Sequence, residues 1–393
     1  MVRAPLRKIL IVYRVPSFLA GGIIALYLGG CQTGVQHRTA IPTQAVAPDL
    51  EVAPAANVEL VPLPPSAAVA RSDSTIQRFN DSTIQRKQSQ TAWPSNWVNT
   101  WVSLQSWSKF NNAGPLLRTM SNPHLAFQVA LSGRPLSLKI GSRVANYDGL
   151  ECWLGYAPQM IGGEAYVHWL DAQKTLQPLL APPDFWFDKA MPTIVIDAGH
   201  GGADIGTTCV NGGCYEKEYT LDWARRLGRI LATNGWNVVL TRSGDVELGL
   251  AERVAVAERV NADFFLSLHF NSGASNRDTS GIETYCLTPT GMPSNLTRSY
   301  EDDLRQAYPN NAFDEQNFQA AVRLHRVLVK ATGAADRGVR RARFMGVLRG
   351  QNRPAVLIEG GYLSNPTEAQ RIASGAYRQT LAEALARGLQ VAR

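Results

Sequence analysis

In the second half of the chain, short runs of β-branched and aromatic residues alternate with longer stretches whose apolar residues recur every three or four positions. TIVIDAG, WNVVLTR, FFLSLHF, IETYCL and PAVLIEG carry apolar residues at near-consecutive positions, as strands buried on both faces do. Between them, YTLDWARRLGRILAT sets Leu221, Ala224, Leu227 and Leu231 on one helical face. LAERVAVAERV, FQAAVRLHRVLVKATG and the stretch near YRQTLAEALARGLQVA repeat that period. Strand and helix in alternation predict an α/β fold over 190–393, with a twisted, mainly parallel sheet flanked by helices.

The pattern changes upstream of Pro182 and Pro183. Seven of the nine tryptophans lie between Trp93 and Trp186, among short apolar alternations such as LSLKIGSRV and AYVHWL, with turn signals at Tyr147–Gly149 and Gly162. This predicts a small β-rich accessory domain over 93–182. Residues 32–92 are rich in Pro, Ala, Ser, Thr and Gln without apolar period, the composition of a flexible linker. It holds a tandem DSTIQR, at Asp73 and Asp81, which is too few copies for a repeat fold.

Residues 1–31 place Arg3, Arg7, Lys8 and Arg14 ahead of an apolar run, the order of an export signal and too short for a comfortable membrane span. Leu28, Gly29 and Gly30 before Cys31 resemble a lipobox, which implies cleavage and lipidation at Cys31. Gln32 in the next position is the mild outer-membrane sorting signal, so the expected location is periplasmic, on a lipid anchor in the outer membrane. The formal net charge is +7, but those four early cations supply much of it. With no dense Lys/Arg run, nucleic acid is excluded as a partner. Setting Cys31 aside leaves four cysteines: Cys209 and Cys214 enclose the short loop VNGG and are candidates to pair, whereas Cys152 and Cys286 read as buried thiols.

Parallel sheets present their sites at the carboxyl ends of strands. His200 follows TIVIDAG, His269 closes FFLSLHF, Glu359 ends PAVLIEG, and Glu216 sits where a loop enters a helix. Singly, each of these residues has an ordinary structural explanation. Together, two histidines and a glutamate meet the donor requirement of a catalytic Zn2+, which takes three protein ligands and keeps a fourth position for water. A further carboxylate is then needed to move the water's proton, and Glu359, in an apolar strand, is placed for it.

The runs IVIDAGHGGADIGT, EKEYTLDWARRL, TRSGDVELGLAERVAVAERVNADFFLSLHFNS, GIETYCL, DRGVRRARFMGVLRG and PAVLIEGGYLSNPTEA resemble, in order, the motifs of the zinc N-acetylmuramoyl-L-alanine amidases called amidase type 3. The resemblance implies one zinc per catalytic domain held by His200, Glu216 and His269, with Glu359 as catalytic base. It implies hydrolysis of the amide between N-acetylmuramic acid and L-alanine of the peptidoglycan stem peptide. Asn271 and Arg341 are candidates for substrate contact, Arg341 in a loop before the last strand. Asp197, Asp204 and Arg242 are expected to hold loops and cap helices, and His325 to be a solvated surface histidine.

The sequence departs from simpler members at the Cys209–Cys214 loop and at an extra polar segment between Leu287 and about Gln316. In some members this region carries a helix that blocks the zinc until an activator protein removes it; the polar composition here favours a loop at the rim of the substrate site. Two competing functions stand beside the amidase: a periplasmic zinc peptidase cutting within the stem peptide, and a non-catalytic wall-binding lipoprotein.

Overall fold

The computed structural model describes residues 93–121, 124–180, 189–296 and 302–390. The export signal, Cys31 and the linker lie outside the described residues. Among the described residues, no helix is long and apolar enough to cross a membrane.

The strand-rich part opens with β1 (Trp101–Ser103) and α1 (Leu104–Phe110), and continues through β2 (Leu117–Ser121), β3 (His124–Leu131), β4 (Arg134–Lys139), β5 (Val144–Tyr147) and β6 (Leu150–Trp153). After β7 (Gln159–Ile161) and β8 (Glu164–His168) the chain turns helical. It runs from α2 (Trp169–Asp171) through a π turn, Ala172–Leu176, into α3 (Gln177–Leu180). β1, β8 and β7 form a small sheet of their own. β2 to β6 form an antiparallel meander.

The second half runs β9 (Thr193–Ala198), α4 (Glu216–Thr233), β10 (Asn237–Leu240), α5 (Leu250–Arg259), β11 (Phe264–Asn271) and β12 (Ile282–Cys286). It continues with α6 (Asp314–Thr332), β13 (Asp336–Arg341), α7 (Gly346–Arg349), β14 (Ala355–Tyr362), α8 (Pro366–Ala373) and α9 (Gly375–Gly388). Its strands lie in the order β10-β9-β11-β14-β12-β13. The neighbours are parallel except β12 against β14, so the predicted mainly parallel sheet is present.

Alternate residues of these strands feed opposite layers, as the pleat requires. Phe264, Leu266 and Leu268 of β11 join one core beneath α4, α6 and α9, with Leu221, Ala224, Leu227 and Leu231 of the predicted α4 face packed into it. Phe265 points the other way, into a smaller core with Val256, Val347 and Leu357 that underlies α5 and α7.

The strand-rich part is not set apart from this sheet. β6 pairs with β13 at Cys152 and Val339, so the meander extends the sheet of the second half into a single sheet of eleven strands. The larger core runs through the junction, taking in Cys152 and Leu154 alongside Cys286 and Phe318.

Buried polar groups fasten the same seam. Arg341 lies within β13, not in a loop, and is 1% exposed. Its guanidinium donates to Trp153 O at 3.2 Å, Thr175 Oγ1 at 3.1 Å and Lys174 O at 2.6 Å. These partners correct the expectation of a substrate contact: a guanidinium buried this deeply needs acceptors, and main-chain carbonyls of the strand-rich part provide them. Asp336 reaches across in the same way, accepting from Glu151 N at 2.7 Å.

The described residues of the extra segment after Leu287 also turn toward this seam. Arg143 donates to Pro293 O and Ser294 O at 3.1 and 3.0 Å, and Tyr156 Oη donates to Gly291 O at 2.8 Å. Main-chain carbonyls of the same segment also accept from Arg343, which donates to Gln306, Pro289 and Met292. His325 is likewise buried, on the inner face of α6. Its Nδ1 lies 2.9 Å from Thr284 Oγ1 and its Nε2 2.9 Å from Asp336 Oδ1, so the solvated histidine expected from its basic neighbours is a core residue with both nitrogens partnered.

Candidate metal centre and active site

The three predicted ligands converge at the carboxyl edge of the sheet. His200 leaves β9 with a left-handed φ of 61°, in a loop shaped by glycines. A side chain on Gly199 would collide with the His269 imidazole, and one on Gly206 would come within 2.6 Å of Glu216 Oε2 and 2.7 Å of His200 Cδ2. Gly199 and Gly206 therefore let two imidazoles and a carboxylate close on one point.

His200 Nε2 stands 3.1 Å from Glu216 Oε1, and His269 Nδ1 stands 3.0 Å from the same oxygen. Donor atoms of the three residues all lie within 4.8 Å of one another. Among the described residues this is the group of His, Cys, Asp and Glu side chains with the spacing to hold a metal ion.

The supporting contacts fix which atoms face inward. His200 Nδ1 is bound by both oxygens of Asp204 at 2.9 Å, which leaves Nε2 for the shared centre. A carboxylate behind a ligating histidine sets its tautomer and ring orientation. Asp204 thus has a site role beyond the loop-holding expected of it, and its place four residues after His200 was the available signal. Glu216 opens α4 and accepts from Thr207 N at 2.9 Å and Phe270 N at 3.0 Å.

Behind these, Asp197 is buried and accepts from Arg253 Nη1, Thr241 Oγ1 and Ser267 Oγ. Arg242 donates to the carbonyls of Ala198, Gly199 and Lys217. Both hold the strand ends and loops, as the sequence predicts. A disulfide between Cys209 and Cys214 closes the loop that delivers Glu216, whereas Cys152 and Cys286 are free and buried.

Electrostatics divide the two glutamates. Burial alone would raise the Glu216 carboxyl, but hydrogen bonds and charge from His200 and His269 outweigh it and hold the group well below the usual carboxylate range. Burial likewise opposes protonation of His200, yet Glu216 and Asp204 prevail and raise it. Glu359 goes the other way: burial, with the negative charges of Glu216 and Glu283 nearby, pushes it well above the ordinary value. Its Oε2 is shut off from solvent and has no hydrogen-bond partner within the protein. A buried carboxylate oxygen left unpaired is costly, and such groups concentrate at functional sites.

Glu283 is the site residue for which sequence reasoning had no role, although GIETYCL was among the motifs. On β12 it lies across from Glu359, buried, and accepts from Arg337 Nε at 2.9 Å, Tyr285 Oη at 2.6 Å and Asn271 Nδ2 at 2.9 Å. The amide of Asn271, a candidate for substrate contact, is thus engaged in holding Glu283.

The chain matches the family model of the N-acetylmuramoyl-L-alanine amidases over residues 194–391. It is 33% identical to the sporulation-specific N-acetylmuramoyl-L-alanine amidase of Bacillus subtilis over 204 residues, 51% of this chain and 68% of that one. It is also 33% identical over 201 residues to the N-acetylmuramoyl-L-alanine amidase CwlM of Bacillus licheniformis, again 51% of this chain and 68% of the relative. Among solved structures it is similar to the catalytic domain of CwlV, an amidase from Bacillus (Paenibacillus) polymyxa, at 35% identity and a TM-score of 0.42, covering 51% of this chain and 96% of that one. With a matching model spanning half its length and the ordered motifs folded into one site, the chain belongs to the amidase type 3 family of N-acetylmuramoyl-L-alanine amidases.

Proposed function

We propose that this protein is a zinc-dependent peptidoglycan amidase that cleaves the bond between N-acetylmuramic acid and L-alanine of the stem peptide. The single observation that carries the proposal is the convergence of His200, Glu216 and His269 beside a buried, unpartnered oxygen of Glu359. Two imidazole nitrogens and one carboxylate oxygen fit zinc, with the carboxylate ionised and one histidine oriented by Asp204. When bound, zinc lowers the pKa of a water to about 7 and polarises the carbonyl to be cut.

The chain's own residues account for the proton. Glu359 takes one from the attacking water as its oxygen bonds to the lactyl carbonyl carbon. As the carbon–nitrogen bond breaks, Glu359 returns the proton to the departing L-alanine amine. The apolar strand around Glu359 and the negative charge of Glu283 favour the protonated form that this second transfer requires.

Export to the cell wall, with lipidation at Cys31 as the anchor, is part of the same proposal and is supported by the order of charges and apolar residues in the first thirty-one positions. Mass spectrometry of products from purified sacculi tests the bond. Peptides with free N-terminal L-alanine are expected, their release stopping with a chelator and resuming with added zinc. Products cut inside the stem peptide would establish the peptidase instead, and intact sacculi the wall-binding protein.

A further inference from the structure

The segment that delivers Glu216 is a short ladder between two arms of the chain. At its base Glu216 N donates to Thr207 O at 2.9 Å, and Thr207 N donates to Glu216 Oε2 at 2.9 Å. With Oε2 held in this way, Oε1 is the oxygen that meets His200 Nε2 and His269 Nδ1 at 3.1 and 3.0 Å. One rung further out, Thr208 and Tyr215 form an antiparallel bridge. The next rung is covalent: Cys209 N donates to Cys214 O at 3.1 Å, and the two sulfurs are bonded. The disulfide thus lies two rungs from the carboxylate, on the same two arms.

The bridge encloses only the four residues VNGG. A crosslink over so short a loop constrains the unfolded chain less than a long-range one does, so its effect is concentrated on the arms it joins. It is also within reach of a partner. Cys209 is buried, but Cys214 is partly exposed and Asn211, Gly212 and Gly213 are exposed. A side chain on Gly212 or Gly213 would meet nothing within 4 Å, so the tip of the loop is open to an approaching thiol.

We propose that the Cys209–Cys214 pair is a redox control of the metal centre. Joined, it holds Glu216 in place for His200 and His269; reduced, it frees the arms, and ordering them again weakens zinc binding. The partner is a dithiol oxidoreductase. One of its thiolates attacks the partly exposed Cys214 sulfur, the Cys209–Cys214 bond breaks, and Cys209 leaves as a thiolate that takes up a proton. The partner's second thiol then attacks the mixed disulfide, releasing Cys214 as a thiol and closing the partner's own disulfide, so that two electrons and two protons pass to this chain. The oxidised partner reverses the exchange. Where thiols are kept reduced the centre is weak, and where they are oxidised it is completed.

The proposal rests on the reading of His200, Glu216 and His269 as zinc ligands, and its test separates the two. Full-length protein is stripped of metal, and half is reduced with dithiothreitol under argon and desalted so that no reductant remains to chelate zinc. Thiol titration after denaturation confirms that the bridge is open. Zinc affinity, by competition against a chromophoric chelator, is expected to fall about tenfold or more on reduction and to recover when the same sample is reoxidised. Hydrogen exchange of the metal-free protein is expected to quicken over residues 207–216 and to stay unchanged in β9 and β11. Cys209→Ser with Cys214→Ser should bind zinc as the reduced protein does, without response to the dithiol. Equal zinc affinity of oxidised and reduced wild type overturns the proposal, as does faster exchange spread over the whole protein. Oxidised wild type that binds no zinc is a different result, which removes the metal reading itself.

Discussion

Glu359 stands directly across the β11–β14 pair from His269. Parallel pairing of FFLSLHF with PAVLIEG therefore places the proposed proton carrier beside a proposed ligand without help from any loop. Glu359→Ala is expected to lower kcat by roughly 10²-fold or more while the protein still binds one zinc. Metal content by atomic emission and muropeptide release, measured on the same sample, check both halves of this outcome. Wild-type turnover in the variant removes Glu359 from the chemistry.

Asp204 makes a different prediction, because its carboxylate meets the site through His200 Nδ1 and through Gly206 N, which donates to it at 3.2 Å. Asp204→Asn keeps the size but loses the paired acceptors. Zinc affinity or activity should fall by about 10- to 100-fold, with the melting temperature of the metal-free protein nearly unchanged. Competition against a chromophoric chelator measures the affinity directly.

Arg341→Met tests whether that arginine serves substrate or seam. The substitution leaves Trp153 O, Lys174 O and Thr175 Oγ1 without their shared donor. A stability loss of about 2 kcal/mol or more is expected in denaturant unfolding, with KM per folded molecule unchanged. A selective rise in KM at unchanged stability reverses the assignment.

Asp336 links pH to stability. Burial opposes its ionisation, but His325 and the backbone N–H groups of Glu151 and Gly338 prevail and lower its pKa. A carboxyl depressed on folding contributes stability that is complete above the unfolded value of about 3.9 and drains away as pH falls below it. Thermal melts of Asp336→Asn should lie below wild type at pH 7, and the gap should narrow as both are acidified toward about pH 2.5. A gap that stays constant across that range separates the stability loss from Asp336 ionisation.

Much of the candidate site was legible because each residue of the cluster sits where a periodic element stops: His200 after TIVIDA, His269 near the end of FFLSLHF, Glu216 at the first turn of α4. Strand ends and helix starts are local features that composition and period mark well. Glu283 was not legible, since its function depends on β12 lying antiparallel beside β14, a long-range pairing no local pattern encodes. His325 and Arg341 misled for a related reason. Each is flanked by polar residues, but β13 and the strand-rich part close over them only in the folded chain.

The hydrogen-bonded seam at Cys152 and Val339 has a consequence for anyone who would engineer this protein. Transplanting the catalytic half onto another targeting module would strip a neighbour from β13 and leave a raw strand margin, a ready template for self-association. Here the wall-hydrolysing unit and its upstream companion are one piece of masonry, and a useful chimera would carry both across or cap the cut edge by design.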